Sequence, residues 1–317
     1  MKAIELVRKP GASNILLAPL SSEHLDLYLE MLTNPETRRL TKTKGETSPA
    51  RAAQWLANLP QAGQRKDWAI LDDEGHFFGE VILADFDDAK NQIELRITIR
   101  RKPYFSKTVM RQAVVAALEY AFDTLAIDQV VLAVDSDASG AIEVFSHLGF
   151  APGRTFKDKD RHFLRMSIHR WQLFHALCIY GMEKHLDMSR WKFSYDNAKR
   201  RAGLCNYGEK RISISKYLIE SHTLDAGLQT LAHEIAHALC GKNAGHGPVW
   251  LATAKSMGYR AEKFSGNEIA RERAPWVGTC PSGHEHFRYR KPARDLACGL
   301  CSRTYSAEYR IVWRRAD

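Results

Sequence analysis

No cysteine occurs before residue 170; all six fall in the second half of the chain. Six in 317 residues is too sparse for a disulfide scaffold. No run approaches the roughly 18 uncharged apolar residues that a membrane-spanning helix needs. The opening MKAIELVRKPGASNILLAPL breaks its short apolar stretch with charges and does not have the layout of a signal peptide. No membrane role is expected, and a cytoplasmic protein is the default, nucleoid-associated if it binds DNA. Acidic residues are in deficit, with 37 Asp and Glu against 46 Lys and Arg, a net charge of +9. That balance favours nucleic acid or other anionic partners and says nothing about fold. Hydrophobic residues at 44% and charged residues at 26% exclude a disordered, collagen-like or low-complexity chain, and 317 residues suffice for two ordinary domains.

The first half alternates strand and helix patterns. Asp67–Leu71, Phe77–Ala84 and Gln92–Ile99 read as strands separated by acidic turns. Gln112–Leu125 is apolar at helical spacing through Val115, Leu118, Ala121 and Phe122. Val130–Val134 follows as a β-branched strand, and Ala141–Leu148 as a helix stopped by Gly149. Lys157–Arg161 reads as a charged loop. This order predicts an α/β domain with a mixed sheet. The pattern changes near residue 170. A helix over Trp171–Leu186, strands at WKFSYD and Arg211–Ser215, and helices over Thr223–Leu239 and Pro248–Met257 make an α+β region. The expected divisions are 1–169, 170–270 and 271–317.

The strongest chemical signal is LAHEIAHALCGKNAGHGPVW. His233 and His237 are i and i+4, so both imidazoles leave one helix face, and Glu234 adjoins the first. In H-E-x-x-H the histidines hold zinc and the glutamate is a general base. A hydrolytic zinc needs a third protein ligand and one open position. Gly241 stops the helix, Gly245 and Gly247 allow the chain to reverse, and His246 returns as that ligand. The plain alternative is an amphipathic helix that contains the motif by chance. Cys205 and Cys240 read as small core residues, with a cysteine switch at Cys205 as the other option.

Two short chelating turns close the chain, Cys280-Pro-Ser-Gly-His284 and Cys298-Gly-Leu-Cys301. Together they predict a closed Cys3His structural zinc site. His286 is the alternative fourth ligand, and a redox C-x-x-C the alternative chemistry. Arg288, Arg290, Lys291, Arg294 and Arg303 alternate with Phe287, Tyr289 and Tyr305. Cations track phosphates and rings stack on unpaired bases, so DNA, single strands included, is the expected partner. The same alternation also suits half-buried hairpin strands with solvated charges.

These pieces resemble the SprT-like family, which includes the Spartan-type DNA-dependent metalloproteases. The resemblance runs over roughly Trp171–Arg315 through WKFSYDNAKRRAGLC, RISIS, HEIAHAL, GHGPVW and the C-terminal knuckles. It implies a mainly helical zincin-like core with His233, His237 and His246 on a catalytic zinc, Glu234 as base, and a small β zinc ribbon. The family's usual ribbon carries four cysteines, so His284 is a departure. Arg211–Ser215 reads either as an edge that pairs with an extended peptide or as an ordinary buried strand. Tyr207 and Tyr217 are both candidates for steadying a developing oxyanion.

Residues 15–168 resemble a GNAT-type N-acetyltransferase through LLAPLSSEHLDLYLEML, FFGEVIL, QIELRITI, RQAVVAALEYAFDTL and DSDASGAIEVFSHLGF. That family binds the acetyl-CoA pyrophosphate on a glycine-rich loop at a helix N-terminus. Here Arg101–Arg111 contains no glycine; Ser106, Thr108 and Met110 stand in glycine positions, and Arg101, Lys102, Lys107 and Arg111 remain to attract an anion. Ser106, Lys107, Thr108 and Arg111 are the candidate cofactor residues. Phe145 replaces the usual acid tyrosine, Asp137 the usual asparagine, and Glu94 stands where a base often does. The reading is a degenerate GNAT-like domain for substrate or partner recognition, joined to a zinc endopeptidase acting on DNA-associated or DNA-crosslinked protein. The alternatives are an active acetyltransferase with an accessory zinc domain and a non-proteolytic DNA-binding protein.

Overall fold

A computed structural model describes residues 14–35, 37–38, 48–61, 63, 65–100, 106–260 and 273–316. Arg101 and Lys102 lie outside the described residues. The chain divides into two compact units, Met1–Lys184 and His185–Asp317. Among the described residues no helix is long and apolar enough to cross a membrane.

The first unit is built on seven strands: β1 (Leu16–Pro19), β2 (Lys66–Leu71), β3 (Phe77–Asp87), β4 (Gln92–Ile99), β5 (Gln129–Asp135), β6 (Ala151–Asp158) and β7 (Arg161–His169). Their order in the sheet is β1-β2-β3-β4-β5-β7-β6. The strands pair antiparallel except β4 with β5, whose parallel register runs only from Gln92↔Gln129 to Glu94↔Val131. Beyond Glu94 the two strands part. The helices are α1 (Leu25–Thr33), α2 (Pro49–Asn58), α3 (Lys107–Glu119), α4 (Ser139–His147) and α5 (Arg170–Glu183).

Helix α3 starts earlier than its apolar spacing predicts, because Ser106 caps it by accepting from the Thr108 N–H at 3.2 Å. A π-helical turn over Tyr120–Thr124 follows it. Its residues Met110 and Gln112–Leu118 are all buried. A helix enclosed on every side carries no polar stripe, which explains its Ala- and Val-rich sequence. The charged segment Lys157–Arg161 is the tip of the β6–β7 hairpin: Lys157, Asp158 and Arg161 pair in the strands, and Lys159 and Asp160 make the turn, with Lys159 in the left-handed region at φ 57°. Helix α5 follows β7 without a break and abuts α4: a Cβ added to Gly149 would lie 2.7 Å from the Gln172 carbonyl oxygen. The division between compact units therefore falls one helix later than the boundary expected after residue 169.

One buried charge stands out in this unit. Glu80, on β3, is 6% exposed, and its Oε2 has no hydrogen-bond partner among the described residues. Burial, then the nearby charge of Asp67, push its pKa up to about 7, against the opposing pull of Arg65 and a hydrogen bond from Thr98. A carboxyl raised in the folded state stabilises the fold fully below its unfolded value, and that stability is lost as pH rises through about 7. At about 1.4 kcal/mol per pKa unit, ionising Glu80 costs about 3 kcal/mol. Glu80→Gln should therefore leave stability at pH 4 nearly unchanged and exceed wild type by about that amount at pH 8.5. Chemical denaturation at the two pH values checks this, and parallel pH profiles would refute it.

The second unit contains a three-stranded sheet of β8 (Lys192–Asp196), β9 (Gly203–Asn206) and β10 (Arg211–Ser215), ordered β8-β10-β9. Helices α6 (Lys216–Ser221), α7 (Leu224–Cys240) and α8 (Pro248–Ser256) follow. Strands β11 (Trp276–Thr279), β12 (Glu285–Arg288) and β13 (Val312–Arg315) form a separate sheet, ordered β12-β11-β13. Strand β10 is not an edge. It pairs parallel with β8 and antiparallel with β9, and Ile212–Ser215 are buried. Of the two readings of Arg211–Ser215, the ordinary buried strand is the one observed.

Candidate metal centres

Helix α7 is capped by Thr223, whose hydroxyl accepts from the Ala226 N–H, and is buried on every side from Ala226 to Ala232. Gly241 ends it at φ 79° and Gly245 turns the chain at φ 51°, a region that disfavours a side chain. Gly247 then precedes Pro248, the first residue of α8. This return brings His246 back over α7. The Nε2 atoms of His233, His237 and His246 lie 3.2, 3.1 and 3.1 Å apart. Three imidazole nitrogens aimed at one point cannot all donate to each other, since their protons would collide. A tetrahedral ion with bonds of about 2.0–2.1 Å holds its ligand nitrogens about 3.3 Å apart, so the triad fits such an ion. Burial, then the neighbouring imidazoles, push His233 down to about 4, and burial followed by His246 lowers His237. Both rings are thus neutral near pH 7 and offer a lone pair, as metal ligation requires.

Two supporting residues escaped the sequence reading. The Trp250 indole stands 4.7, 5.3 and 4.7 Å from the rings of His233, His237 and His246 and forms the floor of the site. Its spacing from His246, one turn into a proline-opened helix, was the available signal. Tyr259 places its hydroxyl 3.5 Å from His233 Nδ1, where it can orient the ring. The buried Gln229 amide fixes that segment: its Nε2 donates to the Gly258 carbonyl and its Oε1 accepts from the Arg260 N–H. No sequence pattern announces this link, because it joins residues 29 and 31 positions apart.

Glu234 is 7% exposed. Burial raises its carboxyl to about 7, although the Cys205 N–H and Arg201 favour the ionised form; Asp196 adds to the rise. Asp196 is itself held down by the Ser213 hydroxyl, the Ala198 N–H and Arg201, against the effect of burial. Of the two tyrosine candidates, Tyr207 is raised by burial first and lies close enough to Glu234 to be raised further by it, whereas Tyr217 is buried beside Lys216 and Arg273. Burial, then the charge of Glu234, push the Cys205 thiol up to about 12, which suits a core residue rather than a thiolate switch.

The second cluster brings together Cys280, His284, Cys298 and Cys301. His284 Nδ1 lies 3.6 Å from Cys280 Sγ, 3.6 Å from Cys298 Sγ and 3.2 Å from Cys301 Sγ, and Cys280 and Cys301 sulfurs are 3.9 Å apart. Zinc–sulfur bonds of about 2.3 Å imply S···S separations near 3.8 Å, so this donor set also fits. The Cys280 thiol is pulled down to about 7: burial opposes ionisation, but the His284 and Ser282 N–H groups of the knuckle outweigh it. His286, the alternative ligand, sits beside the four with its Nε2 3.2 Å from Cys298 Sγ, placed to donate to that sulfur.

From the end of β12 onwards the chain lines a cavity of about 640 Å³ with Phe287, Arg288, Tyr289, Arg290, Lys291 and Arg294; Arg200 joins them from the β8–β9 loop. None of its lining residues is acidic. Arg303 is not part of this lining.

In the first unit the cofactor candidates have other partners. Ser106 caps its own helix, Lys107 Nζ pairs with Glu143 at 2.5 Å, and the Arg111 guanidinium lies 4.5 Å from the Tyr180 ring. A pyrophosphate at this helix start would meet the Glu143 carboxylate. Phe145 is buried against Phe150 at 5.4 Å, and Glu94 pairs with Arg96 at 2.9 Å. Among the described residues of this segment, Lys107 and Arg111 are thus engaged with Glu143 and Tyr180.

Family models match an acetyltransferase (GNAT) domain over residues 14–151 and the SprT-like family over residues 172–272. The chain carries a GNAT domain followed by a SprT-like domain. Its two-domain layout, a GNAT-like mixed sheet with a helical second region, agrees with the fold class expected from sequence. Among solved structures, spermidine N-acetyltransferase from Vibrio cholerae in complex with CoA and spermine is 16% identical, with TM-score 0.47, covering 50% of this chain and 98% of that one. A putative acetyltransferase from T. thermophilus is 18% identical, with TM-score 0.46, covering 54% and 94%. No curated protein matches the chain. The SprT-like family is associated with zinc, and the donor clusters of the SprT-like domain and the ribbon could each bind a metal ion.

Proposed function

We propose that the SprT-like domain is a zinc-dependent endopeptidase acting on DNA-associated or DNA-crosslinked protein, with the GNAT domain recognising a substrate or partner. The observation that carries this reading is the convergence of three imidazole Nε2 atoms within 3.2 Å of one another, with Glu234 on the same helix. When bound, a zinc ion at these nitrogens supplies a Lewis acid and acidifies a water molecule. The chain supplies the rest. Glu234 takes the proton of the attacking water on a carboxylate oxygen and delivers it to the leaving amide nitrogen. Its burial, which favours the protonated form, helps it hold that proton between the two steps. Trp250 excludes water from behind the imidazoles.

The DNA part rests on the acid-free cavity beside the ribbon. Its cations suit phosphates and its two rings suit unpaired bases. Single-stranded DNA should bind the full chain with an affinity that falls with salt. Replacing Arg290 and Lys291 by alanine should weaken binding and reduce the log–log salt slope by about 0.7 per lost phosphate contact. An unchanged slope would place DNA elsewhere. The proteolytic part is tested by incubating the zinc-loaded chain with a protein crosslinked to single-stranded DNA. Fragments that disappear on chelation are expected, and an intact substrate after long incubation would overturn the reading.

A further inference from the structure

Strand β9 runs beside Glu234, and its sequence carries a glycine that its backbone does not require. Gly203 is not among the glycines with positive φ, so turn geometry does not explain it. Space does. A Cβ at this position would stand 2.8 Å from Glu234 Oε1, 2.9 Å from Glu234 Cγ and 2.8 Å from Thr230 Cγ2. The ladder adds a second element. Ser215 donates to the Ala202 carbonyl, and Gly203 and Cys205 stand opposite Ile214 and Ile212. Hydrogen-bonded and non-bonded pairs alternate along an antiparallel ladder. The backbone groups of Gly203 and Cys205 therefore point away from β10, towards the outer edge, and the Cys205 N–H meets the Glu234 carboxylate there.

We propose that β9 is the seat of the Glu234 carboxylate: Gly203 is a positioning residue that leaves the space it fills, and the Cys205 backbone N–H fixes its direction. This rests on the hydrolase reading above. It explains how a carboxylate on a helix that already carries two metal ligands is kept in one orientation. Of the two side chains a methyl group at residue 203 would meet, Thr230 is β-branched and held by its hydroxyl on the Ala226 carbonyl, so the longer Glu234 side chain is the one that yields.

Gly203→Ala should retain zinc and KM while kcat falls about a hundredfold, the usual result of displacing a catalytic group by about 1 Å. A readout independent of cleavage is the denaturation midpoint of the zinc-loaded full chain. The shift caused by Gly203→Ala should shrink by at least half when Glu234 is alanine, because the clash loses its main partner. Equal midpoint shifts in both backgrounds, or a Gly203→Ala enzyme as active as wild type, overturn the proposal. A wild-type chain that cleaves nothing overturns the hydrolase reading instead, and the midpoint cycle still decides the contact.

Discussion

Glu234→Gln leaves both metal sites filled and lowers cleavage by between a hundredfold and ten-thousandfold, the range expected when a general base is removed. The substitution keeps the side chain's shape, so the packing against Gly203 and Thr230 survives. The amide oxygen still accepts from the Cys205 N–H, which is the contact the carboxylate uses. None of the three imidazole nitrogens is altered. Only the capacity to take a proton is lost, and the variant should fold at least as well as wild type, since a neutral amide replaces a buried acid. Elemental analysis and gel-based cleavage on the same preparation check the two halves of the expectation. Cleavage at the wild-type rate would remove Glu234 from the chemistry, and loss of zinc would make it a ligand instead of a base.

Cys298→Ser should melt the ribbon while the histidine site keeps its metal. The buried cluster of this segment is Cys280, Cys298 and Ile311, with Leu296, Tyr309 and Trp313 packed around it. Most of its buried members are thus metal ligands, and so small a core cannot offset the entropy of ordering the segment. Structural zinc sites supply about 10–16 kcal/mol of apparent binding free energy, which becomes folding free energy. Removing a fully enclosed thiolate therefore leaves β11–β13 without a basis. The expected signature is one metal equivalent fewer per chain, rapid amide exchange over the ribbon strands, and weakened DNA binding, because the cations of the cavity follow β12 directly. Retention of both metals with protected ribbon amides would show that the knuckles fold without this ligand.

The parts of this molecule that were legible in sequence are those whose geometry closes over a short stretch of chain. His233 and His237 are one turn apart, His246 returns within nine residues through glycines, and the knuckles are local turns, so spacing alone announced them. Strand β9 was missed because four residues containing a glycine give no period to read, although the edge of the sheet depends on it. Glu80 looked like any strand glutamate, since burial among Asp67, Arg65 and Thr98 is a product of tertiary packing. The start of α3 was misjudged because its first turn, Lys-Thr-Val-Met, lacks the apolar spacing and is secured by Ser106 instead. The same distinction applies to the GNAT domain. Its fold was readable from element order, whereas the engagement of Lys107 with Glu143 and of Arg111 with Tyr180 appears only when the helices are assembled.

Helix α5 belongs by packing with the first unit, yet the SprT-like match begins inside it at residue 172. A fragment cut at the family boundary would take with it Leu173, Phe174, Leu177 and Met182, all buried in the intact chain, and would strip the partner surface around Gly149 from the helix. Such a fragment would carry a greasy leading segment prone to self-association, and the severed front half would lose a flank. A cut after Lys184 would in turn remove residues that the SprT-like match includes, so the helix is one that both modules claim.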